Sequence, residues 1–295
     1  MNLYVCLQTH STCFKGTNKN MAIKGILWHS TGVNNPNLKR YVQPYEGDVN
    51  YNEAIAKLGK NTARNDWNHI SRQAGLNAWI GKFADGSVGT VQSMPWNYKP
   101  WGCGSGKYGS CNNGWIQFEI CEDNLKDKAY AEKVWNEAIE LSVYLCKLYG
   151  LNPLGVAKCG NATVPVITCH NDSAKYGVGC NHADINHWFP KILGKNMDNA
   201  RKEIADRLNG ATPIVSQPTA NIKPTQKEGY NMPQIKKGSK GKAVKIWQII
   251  LGVEADGIFG AITHGKTLDW QKKHGLVADG IVGKNTWKVA LDSLK

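Results

Sequence analysis

The sequence predicts an α/β domain, a strand core covered by helices, followed by a small all-α domain of three helices. Three observations carry this: short runs rich in β-branched and aromatic residues, a long amphipathic helix after them, and an internal repeat near the C-terminus. A chain of 295 residues is long enough for two domains, each with its own core.

Residues 25–29 (GILWH), 77–81 (NAWIG), 87–93 (SVGTVQS) and 115–121 (WIQFEIC) read as strands. ADGS at 84–87 lies between two of them and predicts a hairpin turn. Residues 127–149 form a long amphipathic helix, because Val134, Trp135, Ala138, Ile139, Leu141, Leu145 and Leu148 recur near the helical period. Gly150 ends it, with Pro153 just beyond. Residues 197–208 make a second helix, and 54–58 lie within a shorter one. The larger domain therefore spans 1–208. Residues 209–233, rich in Pro, Thr, Asn, Gln and Gly without a periodic apolar face, read as a semi-extended linker.

The smaller domain, 234–295, repeats itself. EADGIFGAIT at 254–263 matches VADGIVGKNT at 277–286, with helices expected over 244–251, 267–274 and 286–294. In each unit the glycines permit a tight turn, and Thr263 and Thr286 are expected to cap the next helix. No nucleophile–base pair or cluster of metal ligands occurs in it, so it reads as a binding module.

The formal charge is +13, which suits polyanionic partners such as nucleic acid, anionic membrane or an anionic wall polymer. The excess is spread over both domains, and no Arg-rich block or stacked-aromatic signature marks a nucleic-acid reader. No segment approaches the ~18 apolar residues of a membrane span, and the first residues, MNLYVCL, lack the basic start of a secretory signal. All nine cysteines fall within residues 1–180. An odd, scattered set argues for a reducing interior over a disulfide framework. Cys103 and Cys111 flank a Gly-rich loop that leaves a pairing open after release. The expectation is synthesis in the cytoplasm without a Sec-type address.

The densest chemistry lies at 168–189 (TCHNDSAKYGVGCNHADINHWF). His170, His182, His187, Asp172, Asp184, Cys169 and Cys180 occur there, interrupted by glycines. Imidazole, carboxylate and thiolate bind borderline-soft ions such as zinc, so a loop carrying several is a candidate half-site. His29, at the end of the apolar run 26–28, is a candidate for the other half. Each has a plainer reading: His29 as a core histidine bonded to backbone, and 168–189 as a turn-rich surface loop. C-x-x-C and H-E-x-x-H spacings are both absent.

Several motifs in order supply the discrimination that spacing lacks. They are KGILWHSTGVNNPNLKRYVQP at 24–44, GKFADGSVGTVQSMPW at 81–96, NGWIQFEICED at 113–123 and NHADINHWFP at 181–190. Through them residues 20–208 resemble the type-2 N-acetylmuramoyl-L-alanine amidases, phage and prophage endolysins in particular, with peptidoglycan recognition proteins as kin. GSKGKAVKIWQ at 238–248 and the two ADGI units resemble the peptidoglycan-binding repeat of cell-wall hydrolases. The resemblance implies a central mixed sheet flanked by helices, a bound Zn2+ and peptidoglycan as partner. It implies His29, His170 and Asp184 as zinc ligands, with Cys180 the alternative third. Glu119 matches the family's general base, since its Tyr alternative falls at Leu76. His182 stands where relatives usually carry a transition-state Lys. Departures occur at Asn77 and Gly102, where relatives usually have His.

Hydrolysis of the amide between N-acetylmuramic acid and L-alanine follows as the expected activity, with an endolysin role in lysis. A wall-binding domain on a linker would raise the local concentration of enzyme at an insoluble substrate. Attraction of the basic chain to anionic wall polymers would weaken with salt. The alternatives are a peptidoglycan-binding protein with impaired catalysis, suggested by Asn77 and Gly102, and a basic nucleic-acid-associated protein. Oligomeric state is left open.

Overall fold

Alternation along the strands sets the layers of the larger unit. In this computed structural model its elements are β1 (Leu3–Val5), α1 (Thr12–Gly16), β2 (Gly25–Asn34), α2 (Tyr51–Leu58), β3 (Ala78–Lys82), β4 (Val88–Gln92), β5 (Trp115–Glu122), α3 (Lys128–Tyr149), β6 (Val156–Cys159), β7 (Ala162–Pro165), β8 (Ile167–Cys169), α4 (His170–Lys175), α5 (Phe189–Ile192) and α6 (Met197–Leu208). Short 3₁₀ turns add Leu38–Arg40 and Asp184–His187. The structure describes residues 1–48, 50–210, 233–253 and 255–293. Two units result, the larger over Met1–Gly47 and Tyr51–Pro213, the smaller containing Ile214–Lys295. Most of the linker expected at 209–233, namely 211–232, lies outside the described residues.

Six strands form one mixed sheet in the order β1-β4-β3-β5-β2-β8, and β6-β7 make a separate pair. β3 and β4 are antiparallel through the turn expected at 84–87, while every other neighbouring pair in the sheet is parallel. Successive side chains leave opposite faces of a strand. Ile26 and Trp28 of β2, Ala78 and Ile80 of β3, and Ile116, Phe118 and Ile120 of β5 join the main core with α3. Asp127 caps α3 by accepting from the Tyr130 N–H, and left-handed Gly150 closes it. Its Val134, Trp135, Ala138, Ile139, Leu141 and Leu145 are buried, each large apolar side chain contributing about 1.5–3 kcal/mol before entropy is counted. The helix is therefore held by its apolar stripe.

The other face is mixed. Leu27 and Trp115 join Cys103, Cys111 and Cys159 in one small cluster, and Trp79 joins Tyr41, Trp67, Leu76 and Cys121 in another. Further odd positions of β2 and β5 carry His29, Gln117 and Glu119, polar side chains on the face opposite the main core. That polar stripe positions the site.

One expectation needs correcting here. Residues 168–189 are not an open loop: the segment finishes β8, forms α4 and then the 3₁₀ turn. β8 pairs with β2 through Ile26↔Ile167 and Trp28↔Cys169. A three-residue strand is too short for alternation to reveal it.

Among its described residues the smaller unit holds three helices, α7 (Lys242–Leu251), α8 (Ala261–Lys273) and α9 (Lys284–Ser293). Trp247 lies edge-on to Trp270 and Trp287 at 5.1 and 5.4 Å within its core. Each repeat is organised by a buried glutamine. The Gln248 amide donates to Asp256, the Ile258 carbonyl and Thr263, and its Oε1 accepts from the Gly257 N–H. Gln271 makes the same four bonds to Asp279, Ile281, Thr286 and Gly280. Gly257 and Gly280 supply the positive φ of the turn, 79° and 69°. The threonines do not cap as expected. Thr263 and Thr286 lie inside α8 and α9, where their hydroxyls satisfy the glutamine amides, because a buried amide must find acceptors.

Candidate functional site

Three elements deliver three donors to one point. β2 carries His29, the first residue of α4 is His170, and the 3₁₀ turn begins at Asp184. His29 Nδ1 lies 3.1 Å from His170 Nδ1. Asp184 Oδ2 is 3.1 Å from His170 Nδ1 and 3.9 Å from His29 Nδ1. All three residues are buried, yet no hydrogen-bond donor is aligned on Asp184 Oδ2. Two imidazole nitrogens and a carboxylate oxygen therefore face one another. A tetrahedral ion such as zinc sets its nitrogen and oxygen donors about 3.3 Å apart, so the set fits a divalent cation.

The outer bonds fix the rings. His29 Nε2 is 2.9 Å from Gln117 Oε1, which can only accept, so Nε2 carries the proton and Nδ1 keeps a lone pair for the site. Gln117 is held in turn by donating to Asn112 Oδ1 at 2.9 Å. Asp184 sits at a positive φ of 42°, a region Asp tolerates better than most residues. Its turn is fastened to β5 by His187, whose Nε2 is 3.1 Å from Glu122 Oε1, and Ser30 donates to the same oxygen at 2.6 Å.

Burial drives the charge states. Desolvation pushes the His29 pKa down to about 4, outweighing the nearby Asp184 carboxylate, so the ring is neutral and ready to ligate at neutral pH. For Asp184 burial alone would raise the pKa. The His170 and His29 rings and the Ser30 N–H outweigh it and hold the carboxyl below the usual range. Glu119 is the register partner of His29 on the neighbouring parallel strand, so both leave the same face of the sheet. Burial, then the Asp184 and Glu122 carboxylates, raise the Glu119 pKa well above the ordinary value, and its Oε2 has no hydrogen-bond partner. A carboxyl group with one buried, unpartnered oxygen and a raised pKa beside a donor cluster has the properties of an acid–base group.

The other expected positions separate clearly. His182 is exposed, its ring 4.5 Å from that of His170, and Cys180 lies on the far nitrogen of His170 at 3.2 Å. Asp172 pairs with Lys175 and approaches Arg201, away from the donor set. Leu76 is buried apolar packing. Asn77 is occupied structurally: its amide donates to the Pro95 and Tyr98 carbonyls and its Oδ1 accepts from the Gln117 N–H. At Gly102 a Cβ would stand 2.2 Å from Gln117 Oε1 and 3.1 Å from His29 Nε2. No side chain fits there while Gln117 braces His29. Sequence reasoning missed Gln117, Ser30 and Glu122. Gln117 carried a signal, standing two residues before Glu119 on the same strand face. All nine cysteines are free thiols, and Cys111 Sγ lies 4.0 Å from Cys159 Sγ.

Comparison with known proteins follows this geometry. The N-acetylmuramoyl-L-alanine amidase family model matches residues 19–186, and a peptidoglycan binding domain model matches 243–289. Among solved structures, the Staphylococcus aureus hydrolase AmiA in complex with its ligand is similar at 18% identity, over 71% of this chain and 85% of that one, with a TM-score of 0.43. The PlyG catalytic domain is similar at 19% identity, over 74% of this chain and 100% of that one, at 0.40. A Clostridioides difficile peptidoglycan-binding protein in complex with glutamine hydroxamate is 42% identical over 20% of this chain and 40% of that one, at 0.20. Because the amidase match spans more than half of the 295 residues, the protein belongs to the N-acetylmuramoyl-L-alanine amidase family, a peptidoglycan amidase with a peptidoglycan-binding domain behind it.

Proposed function

We propose that the amidase is zinc-dependent, that His29, His170 and Asp184 hold the ion, and that Glu119 and His182 complete the catalytic group. The observation that carries this reading is the convergence of two Nδ1 atoms and an orphaned carboxylate oxygen beside Glu119, whose Oε2 is also without a hydrogen-bond partner. A bound zinc supplies an acidified water and a Lewis acid for the amide carbonyl. Glu119 accepts a proton from the attacking water and returns it to the departing amine of L-alanine. His182 donates a hydrogen bond to the oxyanion of the tetrahedral intermediate, and its exposed ring leaves it accessible to a polymer. Gln117 keeps His29 in the tautomer that ligates.

The impaired-catalysis alternative loses its motive, since Asn77 is spent on backbone bonds and Gly102 makes room for Gln117. We further propose an endolysin role, with the enzyme made in the cytoplasm and acting on the wall after release. Nine free thiols, eight of them buried, suit folding in a reducing compartment.

Purified protein should carry one zinc and release new L-alanine amino termini from isolated sacculi. Glu119→Gln should keep the zinc and lose about 10²–10⁴-fold in rate, the usual worth of a general base. Full activity in that variant, or protein that retains no zinc, would overturn the assignment.

A further inference from the structure

The two histidines that face the first site are braced in different ways. His29 has an amide oxygen behind it, whereas His170 has a thiol: Cys180 Sγ lies 3.2 Å from its Nε2. Ligating histidines are usually backed by carboxylate, carbonyl or water. Sulfur is a weak acceptor but a strong zinc ligand as thiolate. Cys180 Sγ also lies 3.5 Å from His182 Nδ1. His170, Cys180 and His182 thus offer one donor atom each within 4.8 Å of one another, a second such group beside His29, His170 and Asp184. A tetrahedral zinc holding sulfur at ~2.3 Å and nitrogen at ~2.05 Å spaces them about 3.5 Å apart. The half-buried thiol and the exposed imidazole are open to solvent, so a cation can reach them without passing the first site.

We propose that His170 Nε2, Cys180 Sγ and His182 Nδ1 form a second site for a soft divalent cation of the zinc or cadmium class, and that filling it inhibits the enzyme. The proposal rests on the zinc reading above and extends it. Binding releases two protons to solvent, one from the Cys180 thiol and one from His170 Nε2. Thiolate and bridging imidazolate together neutralise the incoming dication. Losing a thiol and a ring proton makes this the weaker site. Its occupation ties up His182, so no hydrogen bond reaches the oxyanion. Activity should rise to one equivalent of zinc, then fall by on the order of 10²–10³-fold as the second site fills, as when an oxyanion donor is removed.

Cobalt separates the sites, because only the second contains sulfur. Metal-free full-length protein titrated with Co2+ should show ligand-field bands with the first equivalent and no thiolate-to-cobalt charge transfer. The charge-transfer band should grow with the second equivalent. Cys180→Ser should bind one cobalt without that band, should weaken the second cation by at least the roughly 10–100-fold that losing an outer partner costs, and should lose the inhibitory limb of the zinc curve. The proposal is overturned by a sulfur band at the first equivalent, which would make Cys180 a ligand of the first ion. Saturation at one cobalt, or a band that persists in Cys180→Ser, also overturns it. Absence of any cobalt uptake overturns instead the zinc reading beneath it. The wild-type titration decides the matter even if the variant fails to fold.

Discussion

The two units treat buried polar groups in opposite ways. In the smaller one, Gln248 and Gln271 each spend every amide hydrogen and oxygen on a turn, and no buried side-chain atom lacks a partner among the described residues. Among the described residues of the larger one, six buried polar side-chain atoms lack hydrogen-bond partners, and those of Glu119, Asp184 and His187 belong to the candidate site or to the turn that carries it. An unsatisfied buried group costs about 1–3 kcal/mol, so a fold keeps one only where something else depends on it. The contrast teaches where to look: the saturated networks of the small unit build shape, and half of the unspent atoms of the large one gather at the candidate site.

The sharpest test strikes the link between them. Gln117 belongs to a saturated chain yet touches His29, a ligand in the proposed zinc site, so on that proposal Gln117→Ala should weaken zinc binding by about 10–100-fold with little change in fold, as read by competition with a chelator and by circular dichroism. Unchanged affinity would remove Gln117 from the site. Next in size, Gln271→Ala strands the Gly280 N–H and should cost the small unit ~1–3 kcal/mol in denaturant melts. Cleavage of a soluble muropeptide should be untouched, and a loss there would break the division between shape and chemistry.

The smallest effect concerns pH. In the metal-free protein, burial, Asp184 and Glu122 oppose ionisation of Glu119, against a weaker attraction from Arg72. With the folded pKa above the unfolded value of roughly 4.3, the folded state binds the proton more tightly. Stability falls as pH climbs from that value through the folded pKa. Glu119→Gln should therefore melt above wild type at neutral pH, with the gap closing as pH drops toward ~4. A gap that widens on acidification would contradict the raised pKa.

Much of the fold was legible. The strands expected at 25–29, 77–81, 87–93 and 115–121 occur as Gly25–Asn34, Ala78–Lys82, Val88–Gln92 and Trp115–Glu122, because their β-branched and aromatic content is a local signal. The helix at 197–208 matches to the residue, and that at 127–149 starts at Lys128 behind its Asp127 cap. β1, β6, β7 and β8 were missed, being three or four residues long and defined by partners distant in sequence. At the site, residue types and the family resemblance pointed to His29, His170 and Asp184, which β2, α4 and the 3₁₀ turn bring together, and the resemblance to Glu119, the register partner of His29 on β5. Gln117 stayed hidden because its role depends on which ring nitrogen faces the donor set, a property of side-chain direction that spacing does not encode.

Asp184 holds its place with a left-handed backbone, a conformation that asparagine shares and β-branched residues resist. An asparagine there alters the charge offered to an ion while leaving the path of the chain alone; a valine would disturb both. For anyone engineering this amidase, the bend at 184 thus separates two dials: grip on the proposed cation, and shape of the turn.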